Sequence, residues 1–277
     1  MKGDKEVRRL YGNVLFQHND VLMYCDSALS YARDNRFEAY GHVRIVNKDV
    51  TVYGDTLYYS SSQSMASLRG DIRMLHGKMT LTTHFLDYDL KENMGYYKGG
   101  GKIIDETNIL TSRIGRYYAD DAMLFFKNDV VLKNPNYVMN TDTLKYKTGT
   151  NVAYFVGPTD VKSKENVIYT ENGWYNTKAD IAQLYRNSSL HKDSHYIYGD
   201  DMYYDRKKDE GTIRKNAVIK DTSSKITLYA QYGFYQGKKK SVFVTNKVLA
   251  VKAFKTDSLF LHADSLFFNQ YTIAPLD

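Results

Sequence analysis

Gly41-His42-Val43-Arg44-Ile45-Val46, then the tip Asn47-Lys48-Asp49, then Val50-Thr51-Val52-Tyr53-Gly54-Asp55-Thr56-Leu57-Tyr58-Tyr59, a Ser-rich turn and Ser67-Leu68-Arg69-Gly70 make one complete unit of this chain. The opening glycine recurs every 29 residues, at Gly12, Gly41, Gly70, Gly99, Asn128 and Gly157. The aromatic close recurs at Tyr31, Tyr59, Tyr88, Tyr117, Tyr146, Tyr175, Tyr204, Tyr235 and Phe268. The 277 residues are therefore about nine copies of one unit, and a fixed period in this range marks a repeat architecture. Repeat proteins work through a long surface or groove more than through one catalytic pocket.

Inside the unit, Gly or Asn is followed by one residue and then Val or Ile, as in Gly12-Asn13-Val14, Gly70-Asp71-Ile72, Asn128-Asp129-Val130, Asn216-Ala217-Val218 and Asn246-Lys247-Val248. Gly and Asn tolerate positive φ best, so this position is expected to be a tight bend or bulge between strands. A short strand, a polar tip and a longer strand follow. The longer strand carries an Asp-x-Leu-x-Tyr pattern, clearest at Asp55-Thr56-Leu57-Tyr58-Tyr59 and Asp142-Thr143-Leu144-Lys145-Tyr146. Period-two spacing puts its Asp, Leu and Tyr on one face. A further short strand (Phe37-Glu38-Ala39-Tyr40) leads into the next bend. No stretch shows sustained helical periodicity, and regularly spaced strands with turn signals predict an all-β fold over 1–277 as one elongated domain.

Composition agrees. Tyr (26) and Phe (12) are abundant, and aromatics suit a half-buried pleated surface. The apolar fraction is 43%, enough for a core, and three Pro and 18 Gly exclude a Pro/Gly-rich disordered chain. The net charge of +6 and pI near 9.0 suit an anionic partner as readily as a solvated surface. Lys238-Lys239-Lys240 is a cationic run too short to specify a partner. No apolar stretch follows the N-terminal Met1-Lys2-Gly3, so no signal peptide is read. No run approaches the roughly 18 apolar residues of a membrane span.

Signals for chemistry are weak. The signature Asp is replaced by Ser27, His84, Arg113, Glu171 and Gln231 in other copies. A ligand or catalytic carboxylate would not alternate with Arg and Gln, so the position reads as a polar residue serving local backbone groups. His191 and His195 are the only close histidines, and their spacing would suit zinc on a helix. On a strand it would hold the rings roughly 13 Å apart. No metal site is predicted. Cys25 lacks a neighbouring base and reads as a small buried strand residue. Gly99-Gly100-Gly101 lacks the Lys-Ser/Thr of a phosphate loop. No nucleic-acid motif accompanies the tyrosines, and no catalytic residue or cofactor is expected.

Gly12-Asn13-Val14, Tyr24-Cys25-Asp26-Ser27-Ala28, Phe37-Glu38-Ala39-Tyr40-Gly41-His42-Val43 and Tyr53-Gly54-Asp55-Thr56-Leu57-Tyr58-Tyr59 together resemble the OstA-like family of periplasmic lipopolysaccharide-transport proteins. LptA and the N-terminal domain of LptD are among its members, and the Cys-Asp-Ser-Ala variant resembles the longer proteins of Bacteroidetes-type bacteria. The pattern covers nearly the whole chain; copies two and five fit best, and copies four, six and eight fit loosely. The resemblance implies an open β-jellyroll, or β-taco, of stacked antiparallel strands. It implies a hydrophobic groove that shields the acyl chains of lipopolysaccharide or lipid A. It also implies end-to-end joining with a second copy or a homologous β-jellyroll domain, and a periplasmic location with the signal removed. It carries no catalytic residues. The groove candidates are those on the repeated strand face: Val43, Ile45, Leu57, Tyr59, Leu86, Leu144, Tyr146, Met202, Tyr204, Leu266 and Phe268. Two other readings stay open: a ligand-free structural or adhesin-type solenoid whose trough is filled by its own Tyr and Phe, and a carbohydrate-active β-helix. Scattered acids and bases count against the second.

Overall fold

The computed structural model describes residues 7–18, 20–147, 149–164 and 166–269. Each repeat folds as two long strands, and the strands group into two compact units. Unit one contains β1 (Val7–His18), β2 (Val21–Tyr31), β3 (Arg36–Asn47), β4 (Val50–Ser60), β5 (Met65–His76), β6 (Met79–Asp89), β7 (Met94–Asp105), β8 (Asn108–Tyr118) and β9 (Met123–Asn134). Every consecutive pair is antiparallel. Unit two contains β10 (Tyr137–Lys147), β11 (Val152–Ser163), β12 (Asn166–Asn176), β13 (Ile181–Lys192), β14 (His195–Asp205), β15 (Glu210–Asp221), β16 (Ile226–Gln236), β17 (Ser241–Ala253) and β18 (Ser258–Asn269). From β11 to β18 each strand pairs antiparallel with the next, and β10 meets β11 where Thr141 Oγ1 lies 2.8 Å from Thr159 Oγ1. Among the described residues the only helical segment is one 3-10 turn, Ala32–Asp34. No helix of the described residues is long and apolar enough to cross a membrane.

The repeated glycine sits inside a strand. Register slips between Tyr40 and Val43 on β3, between Arg69 and Ile72 on β5, and between Tyr185 and Ser188 on β13. At each slip the odd-numbered strand carries an extra residue, which is a β-bulge. The residues at these slips adopt positive φ: 73° at Gly41 and 45° at His42, 100° at Gly70. Glycine serves twice over at Gly70, because a Cβ there would also overlap the Asp55 carboxylate.

A bulge bends its strand, and burial follows the bend. The side chains flanking it are covered: Ala39 and Val43 on β3, Leu68 and Ile72 on β5, Ile213 and Ala217 on β15, Val244 and Val248 on β17. In β7 the ring of Tyr97, before the bulge, fills the space beside Gly101, beyond it. The two halves of a strand thus turn one face towards each other. Burying each Val, Leu or Ile here contributes about 1.5–3 kcal/mol.

The all-β repeat is as expected, with three corrections. The three strands read in each unit are two long ones: the short strands on either side of the glycine are one, because the bulge glycine mimics a turn without ending the strand. The signature position of the first copy is held by Asp26, not Ser27, since Ser27 pairs with Tyr40 just outside the slip. In the penultimate odd-numbered strand, β15, the opening position is Lys215 (φ 66°), with Asn216 second.

Candidate functional site

One face of each unit is a continuous apolar row. In unit one it runs through cross-strand pairs as Ala28, Ala39, Leu57, Leu68, Leu86, Tyr97, Gly115 and Phe126. In unit two it runs as Phe155, Gly173, Leu184, Met202, Ile213, Gly233, Val244 and Leu266. These residues lie at the bend and form a floor. Above it stand partly buried side chains packed against the floor cluster: Phe16, Phe37, Ile45, Val52, Met74 and Ile103 in unit one. Phe16 and Phe37 meet edge to face, 4.1 Å between ring centroids. The result is an apolar trough with a packed floor and half-exposed walls.

All eleven candidate residues lie on this face. Val43, Leu57, Leu86, Leu144 and Met202 belong to the buried floor. Ile45, Tyr59, Tyr146, Tyr204, Leu266 and Phe268 are half-exposed. Phe16, Phe37, Val52, Met74 and Ile103 share the walls and were missed. Counting the 29-residue period from Ile45 reaches Met74 and Ile103 directly.

In each unit the closing aromatics form a lip beside the turns that link even to odd strands. Tyr175 donates its hydroxyl to Asp180 Oδ1 (2.6 Å) and Tyr204 to Asp209 Oδ1 (2.8 Å). Burial, and then the acceptor carboxylate, raise both phenols well above the usual tyrosine range. Consecutive turns are joined: the Thr177 N–H donates to Asn151 O (2.9 Å), Arg206 N–H to Asp180 O (3.1 Å) and Gly237 N–H to Asp209 O (2.8 Å).

The signature position faces outward and binds the next bulge. His42 Nδ1 lies 2.8 Å from Asp26 Oδ2, and Asn216 Nδ2 donates to Asp200 Oδ2 at 2.6 Å. The Asp71 N–H donates to Asp55 Oδ2 at 3.2 Å, and Arg113 Nε to Asp129 Oδ2 at 2.5 Å. The residue type varies because whichever member is acidic, the partner supplies the donor. This position is structural.

The remaining chemical candidates separate. His191 and His195 flank a hairpin turn; His191 stacks on Tyr196 at 4.0 Å and hydrogen-bonds Asp193 O. No cluster of three metal-ligating side chains occurs among the described residues. Cys25 is buried, and burial raises its thiol above the ordinary range. Gly99 and Gly100 are the bulge of β7, both with positive φ.

The chain matches the family model described as OstA-like protein over residues 1–142 and 123–200. No curated protein matches it. Among solved structures it is similar to the crystal structure of LptH, the LptA homologous periplasmic component of the conserved lipopolysaccharide transport device from Pseudomonas aeruginosa. Identity is 17%, covering 50% of this chain and 82% of that one, with a TM-score of 0.24.

Proposed function

The chain belongs to the OstA-like family, and on that premise we propose that it is a non-enzymatic periplasmic carrier that shields lipopolysaccharide acyl chains in its apolar trough on the way to the outer membrane. The observation that carries this reading is the half-exposed wall of Ile45, Val52, Met74 and Ile103 above a packed floor. It offers apolar contact, strand after strand, without requiring the core to open. Each methylene moved from water onto such a surface gains about 0.8 kcal/mol. A passive trough sets no direction of travel, so the driving energy comes from partners.

The partners are lipid A and a second copy or homologous β-jellyroll domain joined end to end. β18 supports the second. Leu261, on its inner face, is 50% exposed, whereas the corresponding Leu81 and Leu228 are only 5% exposed. Another strand laid over β18 would bury it.

Native mass spectrometry with and without lipid A, in detergent-free buffer, tests the reading. The expected result is a saturable lipid A adduct and a ladder of oligomers. Replacement of the half-exposed wall residue Ile45 or Met74 by Asp should weaken the adduct while the chain stays folded. A lipid-free monomer throughout would favour the filled solenoid, for which Tyr97, wedged between Gly101 and Gly115, is the specific structural support.

A further inference from the structure

The turns along the tyrosine lip differ between the two units. In unit two, Thr177-Lys178-Ala179-Asp180, Arg206-Lys207-Lys208-Asp209 and Gly237-Lys238-Lys239-Lys240 carry seven cations and two acids. In unit one, the turns at 32–35, 61–64, 90–93 and 119–122 carry Arg33 and Lys91 against Asp34, Glu92, Asp120 and Asp121. The basic residues are exposed. Their neighbouring acids are already engaged: Asp180 and Asp209 accept tyrosine hydroxyls, and Asp205 pairs with Lys208 at 3.2 Å. Lys207 Nζ donates to Lys178 O at 2.9 Å, which joins two turns side by side. Among the described residues Lys178, Lys238, Lys239 and Lys240 form no ion pair.

We infer that this lip is a phosphate-binding rail for the headgroup of an amphiphile whose acyl chains lie in the trough of unit two. Successive turns are two strands apart, roughly 10 Å, so the rail presents cations at intervals rather than as one point charge. Tyr175, Tyr204 and Tyr235 end the inner face directly below those turns. In unit two the half-exposed Val161, Ile168, Leu190, Ile197 and Ile219 are successive cross-strand partners and make an apolar wall, so apolar chains on the wall and anionic groups on the rail are met by one ligand. Exposure keeps each contact weak and salt-sensitive; their number supplies the effect. Carbohydrate or peptide phosphate alone would use the lysines but leave the adjoining apolar wall empty. The choice of ligand rests on the carrier reading above.

The test compares binding of bisphosphoryl lipid A and its fully dephosphorylated form. It uses the wild-type chain and the triple variant Lys238→Ala/Lys239→Ala/Lys240→Ala, whose unchanged circular dichroism and melting confirm folding. The wild type should prefer the phosphorylated lipid by about tenfold, from roughly 0.5 kcal/mol for each of three exposed pairs. The triple variant, which removes three of the seven cations, should lose most of that preference while binding the dephosphorylated lipid unchanged. An undiminished preference overturns the rail and leaves the carrier reading intact. Failure of the wild type to bind either lipid overturns the carrier reading and, with it, the ligand named here. Co-sedimentation with phosphatidic acid vesicles that is lost in the triple variant, with lipid A binding unaffected, overturns the rail in favour of a bilayer surface. An equal loss of inorganic phosphate binding without any effect on lipid A does the same in favour of a free anion.

Discussion

Tyr97 on β7 fills the space that Gly115 on β8 leaves open: the two are cross-strand partners, and a methyl group on Gly115 would overlap the tyrosine ring. The hydroxyl of Tyr97 reaches Ser112 Oγ at 2.7 Å, so the ring crosses the floor of unit one with its polar end satisfied. In the row of unit two, Phe155 likewise has a glycine, Gly173, as its cross-strand partner. A large ring and an absent side chain keep the floor level. Gly115→Ala is expected to destabilise by about 1–3 kcal/mol, the usual cost of overpacking. Adding Tyr97→Leu should recover part of it, giving a favourable coupling in a urea-denaturation double-mutant cycle. Strict additivity would show that the ring does not occupy that space.

Thr141 and Thr159 form a buried relay at the bend of unit two. Thr159 donates to the bulge carbonyl of Gly157 at 3.0 Å and lies 2.8 Å from Thr141 Oγ1. Thr159→Val removes the donor to Gly157 O and leaves Thr141 only its longer bond to Thr143 O (3.3 Å), at a cost of about 1–3 kcal/mol. Thr159→Ser keeps the hydroxyl and should cost clearly less. Equal shifts of the urea midpoint for Val and Ser would mean that the methyl group, not the hydroxyl, matters.

The repeat and its apolar face were legible because Gly12 to Gly157 keep an unbroken spacing and because Leu57 and Tyr59 sit two apart beyond the bulge. Strand length was not legible. A glycine with positive φ looks the same in a bulge as in a turn, so β3 read as two strands divided at Gly41. The frame slipped at Asn216 because Lys215 occupies the position where Gly or Asn was sought, and the glycine spacing stopped at Gly157 because Arg186 holds the next one; neighbouring ladders hold both there against their own preference. The rail escaped notice because Lys238-Lys239-Lys240 is short by itself. Only the stacking of turns brings it beside Arg206-Lys207-Lys208 and Lys178.

Asp26 and His42 give the outer face one pH-sensitive contact. Hydrogen bonding to Asp26, reinforced by its charge, raises the His42 pKa above the ordinary histidine value. A raised folded-state value means that the contact is fully formed below the unfolded pKa and is lost as pH rises through the folded one. In Asp26→Asn the His42 titration midpoint, followed by NMR, should fall towards about 6.5. An unchanged midpoint would dissociate the pair.

Arg186 and Lys215 hold φ of 61° and 66° at the first bulge position of β13 and β15, where earlier copies have glycine or, at Asn128, asparagine. A left-handed conformation costs a non-glycine residue about 1–2 kcal/mol. Glycine avoids that cost but loses about 0.5–1 kcal/mol through greater freedom in the unfolded chain. The first effect is the larger. Arg186→Gly and Lys215→Gly should therefore each stabilise the protein by about 0.5–1 kcal/mol, provided their side chains contribute little, as expected for exposed cations. The reverse change, Gly70→Ala, meets both the unfavourable φ and the Asp55 carboxylate, and should cost more than about 2 kcal/mol. Thermal melts of the three variants would decide the matter. Stabilisation by glycine at Arg186 and Lys215 with destabilisation at Gly70 would tie the repeated glycine to backbone conformation. If all three changes destabilised alike, side-chain contacts at Arg186 and Lys215 would outweigh strain, and the glycine period would owe its regularity to close packing alone.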